Sequence, residues 1–160
     1  MTASSSTIAM ASPVNDTNCV NSVSVETNGY HFTVCTTNIN PKVGDDITVK
    51  ATLKNISTND VVVVSSVPLL DDTIQVLWQG KQSMNLTSYG RHSKDDDISW
   101  AKRHLESGVE ITESFQINRL FEMTNAGDYE IIISRRIRIR NDTEWGTIDA
   151  PPLKVSLKHP

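Results

Sequence analysis

The sequence has no apolar run approaching the roughly 18 residues that a membrane-crossing helix requires. Its longest strongly apolar stretch, Val61 to Val64, is only as long as a strand, so no membrane span is expected. It also lacks a basic surplus: 15 Lys and Arg stand against 19 Asp and Glu, for a formal net charge of −4. Nucleic acid is therefore not an expected partner. The four histidines, His31, His92, His104 and His159, show no H-x-x-x-H or H-E-x-x-H spacing, and the two cysteines are not in a C-x-x-C pair. That excludes the common zinc patterns. No G-x-S-x-G elbow, P-loop or dinucleotide fingerprint occurs. The expectation is a chain with no catalytic residues, no metal and no cofactor.

The opening residues MTASSSTIAMAS have neither a basic start nor an apolar segment of the secretory type. Residues 1–18 are rich in Ser, Thr and Ala without periodicity and read as a flexible leader or cloning remnant, leaving 19–160 as one domain. A secreted or periplasmic location is expected, its signal lying outside this sequence, with the cytoplasm as the alternative.

What is present is a succession of short alternating runs, 8 to 15 residues apart, separated by Gly, Pro, Asn and Asp clusters. That pattern predicts an all-β fold: an immunoglobulin-like antiparallel β-sandwich of about 7 to 9 strands with one short helical crossover. From Asp46 to Lys54, residues Ile47, Val49, Ala51 and Leu53 share one parity and Thr48, Lys50, Thr52 and Lys54 the other. Val61 to Val67 is apolar on both parities and reads as a central strand. Thr73 to Gln79 sets Ile74, Val76 and Trp78 inward, and a Gly80-Lys81 turn returns Gln82 to Ser88 as its hairpin partner. Glu110 to Ile117 carries Ile111, Phe115 and Ile117 inward, with Glu113 breaking the pattern. Asn118 to Met123 suits the helical crossover. Asp128 to Arg140 has Tyr129, Ile131, Ile133, Ile137 and Ile139 on one parity, but Arg135 shares it, so a bulge or an exit from the core is expected at Ser134 to Arg136. Leu153 to Leu157 closes the fold behind Pro151-Pro152.

Cys19 and Cys35 are a candidate disulfide, and the register decides it. A two-residue turn at Asn28-Gly29 sets Thr27 opposite Tyr30 and leaves Cys35 about 10 Å from Cys19 along the ladder. A three-residue loop over Glu26 to Asn28 sets the cysteines opposite each other. The tight turn and the bridge thus stand as competing readings.

Three segments carry a resemblance: Leu53-Lys54-Asn55-Ile56-Ser57, Leu105-Glu106-Ser107-Gly108 and Gly127-Asp128-Tyr129-Glu130-Ile131. Across residues of about 45 to 135 the chain resembles bacterial immunoglobulin-like domains of the intracellular proteinase inhibitor type. It is also similar to the β-sandwich segment of deuterolysin-type metallopeptidase precursors. The resemblance implies a sandwich and, by analogy, inhibition. Ser107 stands where such domains often carry proline, and no inhibitory residue can be carried over.

The candidate contact residues fall in two groups. Ser88 to His104 is a long polar stretch expected as a loop, and it holds Tyr89, Arg91, His92 and Trp100. Arg136, Arg138 and Arg140 share one strand face at about 6 to 7 Å spacing, a stripe that could grip an anionic partner or keep an exposed strand from pairing with another chain. Trp145, in a polar context, joins the candidates. Asp45-Asp46, Asp71-Asp72 and Asp95-Asp96-Asp97 read as solvated loop charge rather than a calcium site. Sequons occur at Asn15, Asn55, Asn85 and Asn141, but 12 Asn and 33 Ser plus Thr make a few such triplets unremarkable, and they are read as surface turns. The leading expectation is a noncatalytic binding or accessory module, monomeric or weakly homodimeric, recognising a protein or glycan through loops at one end of the sandwich. The alternatives are a proteinase inhibitor presenting residues 88–104, or a structural or dimerisation domain.

Overall fold

The computed structural model describes residues 18–64, 72–95, 102–139 and 144–160. The expected leader lies outside them save for Asn18, as do Trp100, Arg140, the sequons at Asn15 and Asn141, and Asp71, Asp96 and Asp97.

The chain forms an all-β antiparallel sandwich. Its first sheet is built from β1 (Asn21–Thr27), β2 (Tyr30–Thr36), β3 (Thr48–Asn55) and β8 (Glu110–Gln116), adjacent in that order. The second centres on β9 (Gly127–Ile139), with β5 (Asp72–Trp78) and the two-residue β6 (Gln82–Ser83) on one side. On its other side lie β10 (Glu144–Asp149) and β11 (Leu153–Leu157), each paired with one half of β9. The register advances by one residue between them, at Ala150-Pro151-Pro152. A proline lacks the N–H that a ladder needs, so the final strand is broken in two there. A separate ribbon pairs β4 (Val61–Val64) with β7 (Lys102–Leu105), and two short helices, α1 (Ser88–Asp95) and α2 (Ile117–Leu120), complete the described residues.

Facing residues of the two sheets form one core. Phe32, Val34, Val49 and Leu53 from the first sheet meet Val76, Ile131, Ile133 and Val155 from the second, all at most 5% exposed. The expected parity of β3 holds: Val49, Ala51 and Leu53 are buried while Thr48, Lys50, Thr52 and Lys54 are not. Tyr129 is fully buried, and its hydroxyl donates to the Asn125 carbonyl at 2.8 Å, the arrangement of a tyrosine corner.

Several expectations need correction. β9 runs unbroken through Ser134 to Arg136; Arg135 stays on the buried parity, 2% exposed, because Glu113 of β8 meets it across the core. The tight turn and the disulfide coexist. Asn28 and Gly29 both have positive φ, and Thr27 pairs with Tyr30. The ladder ends at Asn21, however: Val20 N–H donates to the Thr36 carbonyl, whose residue already pairs with Asn21, so the extra residue bulges out and Cys19 swings back to Cys35. Their Cα atoms are 5.8 Å apart.

The Gly80-Lys81 turn is a three-residue loop, since Trp78 pairs with Gln82 and Gln79 and Gly80 both take positive φ. Its return strand stops at Ser83 because Thr87 begins a helix instead. β4 is not a central strand; its described partner is β7 alone. Ser88 to His104 is not a loop in its described parts, which are α1 and most of β7.

Candidate functional site

Where β8 ends, Gln116 leads directly into the single turn of α2, and Asn118 secures that corner by accepting the Ile47 N–H at 2.8 Å. α1 is laid against it. Thr87 caps α1: its Oγ1 accepts the Gly90 N–H at 3.0 Å and its carbonyl accepts the Arg91 N–H at 2.9 Å. The same residue ties α1 to α2, its N–H donating to the Leu120 carbonyl at 2.9 Å and its hydroxyl to the Arg119 carbonyl. Gly90 permits the close approach, for a methyl group there would overlap the Leu120 carbonyl oxygen.

Between these elements lies a cleft of about 370 Å³. Tyr89 and Ser93 of α1 form one wall, Ser114, Phe115 and Gln116 of β8 another, and Arg119 and Leu120 of α2 the third. Tyr89 is 60% exposed, so its side chain is open to solvent at the cleft. Gln116 Oε1 is buried and accepts no hydrogen bond. A buried amide oxygen in that state forfeits about 1–3 kcal/mol. Arg119 is exposed, and its side chain forms no ion pair among the described residues. None of the seven described lining residues is His, Asp, Glu, Lys or Cys. The described lining can thus offer hydroxyl, amide and guanidinium donors, hydroxyl acceptors and two aromatic rings, and no carboxylate or imidazole base.

The candidate residues named from sequence are divided by the fold. Tyr89 lines the cleft. Arg91 turns back, donating from Nη1 to the Leu86 carbonyl at 2.6 Å and from Nη2 to Ser88 Oγ at 3.3 Å, so it braces the start of α1. His92 is exposed on the same helix and lies outside the lining. Trp145, Arg136 and Arg138 come together on other elements, the outer face of β9 and β10. Trp145 pairs with Arg138 and lies diagonal to Arg136, and their guanidinium carbons sit 4.5 and 4.4 Å from its ring centroid. The indole is occupied by its own chain's cations, an attraction of about 0.5–2 kcal/mol each.

Six of the seven lining residues escaped sequence reasoning. Gln116 was the available signal, a polar residue between Phe115 and Ile117 where the strand gives way to the crossover. Among the described residues no group of three His, Cys, Asp or Glu side chains could hold a metal ion, and no helix is long and apolar enough to cross a membrane. Of the two described sequons, Asn85 is exposed, whereas Asn55 is fully buried and is no surface turn. No protein-family model matches the chain, and no curated protein matches it in sequence.

Proposed function

We propose that this domain is a noncatalytic binding module that takes a small glycan group in the cleft between α1, α2 and β8. The observation that carries the reading is the cleft wall itself, which sets the exposed Tyr89 and an Arg119 without an ion pair among the described residues beside Ser93, Ser114 and Gln116. At about 370 Å³ the cleft falls at the lower end of the roughly 300–1,000 Å³ of small-ligand sites. A protein partner would ordinarily require about 1,000 Å² of buried surface. Among the described residues, the exposed large apolar side chains are Val20, Ile39, Ile56, Tyr89 and Val109, and of these Tyr89 alone lines the cleft, which favours a compact ligand over a broad protein footprint.

Two further features support the reading. A described lining without His, Asp, Glu, Lys or Cys favours binding over chemistry. The Cys19–Cys35 bridge favours an exported setting, where disulfides persist and glycans are encountered. The helical conformation of Ser88–Asp95 weighs against presentation of 88–104 as a substrate-like inhibitory loop, which needs extended backbone.

The test is an immobilised-glycan array probed with the full chain, with Gln116→Leu and with Tyr89→Ala. Selective binding by the wild type, lost in both variants at unchanged melting temperature, is the expected result. A wild type that binds nothing on the array, or variants that bind as it does, would discard the cleft as the binding site.

A further inference from the structure

We infer that the group recognised in this cleft is a single acidic sugar, a pyranose ring carrying a carboxylate. The inference rests on the binding reading above and concerns the chemistry of the ligand. Four features of the wall converge on it. Gln116 contributes an amide side chain to the wall, a type of group that pairs with sugar hydroxyls. Arg119 presents an exposed guanidinium with no ion pair among the described residues, and a carboxylate matches its planar fork with two parallel hydrogen bonds. Tyr89 and Phe115 supply aromatic surface for the apolar C–H face of a pyranose. Ser93 and Ser114 add hydroxyls that donate or accept as the remaining ring substituents require.

Charge restricts the ligand from both sides. A cationic group would meet Arg119 with no carboxylate among the described lining residues to offset it. A long polyanion would find a single cation, Arg119, among the described lining residues to pair with its many charges. One carboxylate, paired locally with Arg119, satisfies both conditions. The volume agrees, being small for anything longer than a short saccharide end.

The experiment is isothermal titration of the full chain with the methyl glycosides of glucuronic and galacturonic acid, beside those of glucose and galactose, which replace the carboxylate by a hydroxymethyl group. An aspartate-containing tetrapeptide is the acidic control without a sugar ring. A uronide is expected to bind at least tenfold more tightly than its neutral counterpart and than the peptide. Arg119→Gln is expected to remove that preference, and Gln116→Leu to weaken the uronide and the neutral glycoside alike. Equal affinity for uronide and neutral glycoside, or a preference that survives Arg119→Gln, overturns the acidic-sugar inference while leaving glycan binding at the cleft intact. Preference for the peptide overturns the sugar as the recognised group. If no glycoside binds and the array is also blank, the inference falls together with the binding reading.

Discussion

Arg135 on β9 and Glu113 on β8 meet across the core, the Arg135 Nη1 group donating to Glu113 Oε2 at 2.9 Å while their side chains are only 3% and 17% exposed. Each breaks the apolar alternation of its own strand, and each is the reason the other is tolerated. Removing one member takes a close charge partner from the other in a poorly hydrated setting, which is destabilising, whereas replacing both with apolar groups can be nearly neutral. Arg135→Met is therefore expected to lower the stability read by urea unfolding by about 1–3 kcal/mol. The Arg135→Met/Glu113→Leu double variant is expected to be more stable than Arg135→Met alone. A double variant as unstable as the sum of its parts would show that the two residues are not coupled.

That pair also marks the boundary of what the sequence could disclose. Parity within one strand identified Tyr129, Ile131, Ile133 and Ile137 as core, because alternation is a local property. It could not explain Arg135, whose partner lies on a different sheet, and a bulge was the local explanation for a cross-sheet fact. The register arithmetic for Cys19 failed for a related reason: it assumed a ladder that continued past Asn21, where Val20 bulges out. α1 was obscured by Gly90 and by polar side chains suited to a loop; its cause is the Thr87 cap and the contact with Leu120. The cleft was hidden altogether, since its walls come from α1, β8 and α2 and only Tyr89 stood out by residue type. Arg136 and Arg138 were correctly set on one strand face, but Trp145 reaches them through pairing of β9 with β10, which no single segment encodes.

Asn55 behaves as a structural element rather than a surface sequon. Its Nδ2 donates to the carbonyls of Asn59 and Leu105 at 2.7 and 2.9 Å, and its Oδ1 accepts from Ser57 N–H and Oγ at 3.0 and 2.7 Å. The buried amide thus ties the end of β3 to the Ser57–Asn59 turn and to β7. Asn55→Ala would leave two carbonyls without this donor, at a cost of about 1–3 kcal/mol for each that water does not reach. A drop of about 2–4 kcal/mol in urea unfolding is expected. Expression in a glycosylating secretory host followed by peptide mass spectrometry is expected to find position 55 unmodified in the folded protein. Folded, glycan-bearing Asn55 would contradict its burial.

The disulfide closes a short loop, the two cysteines being 16 residues apart in sequence. Restricting an unfolded loop of that length stabilises the fold by about 3 kcal/mol in the chain-entropy account. Cys19→Ser/Cys35→Ser is expected to lose about that amount while keeping the β1–β2 hairpin, whose ladder and Asn28-Gly29 turn do not depend on the bridge. Thermal unfolding with and without reductant tests this: reductant should lower the wild-type midpoint to that of the double variant and leave the variant unmoved. A wild type insensitive to reductant under unfolding conditions would show that the bridge contributes little.

Tyr129 makes stability depend on alkaline pH. Burial pushes its phenol above the ordinary value of 10.0, partly opposed by the backbone hydrogen bond at Asn125. The folded state therefore holds the phenolic proton more tightly than the unfolded chain does. Its contribution is complete below pH 10.0 and is lost as pH rises from there through the folded-state value, because the unfolded chain ionises first. Tyr129→Phe removes both the proton and the hydroxyl that donates to Asn125, so it should cost about 1 kcal/mol at pH 7. Between pH 9 and pH 11, however, the variant should lose less stability than the wild type. Parallel urea unfolding curves at the three pH values check the point, and equal losses in the two proteins would assign the alkaline sensitivity to other groups.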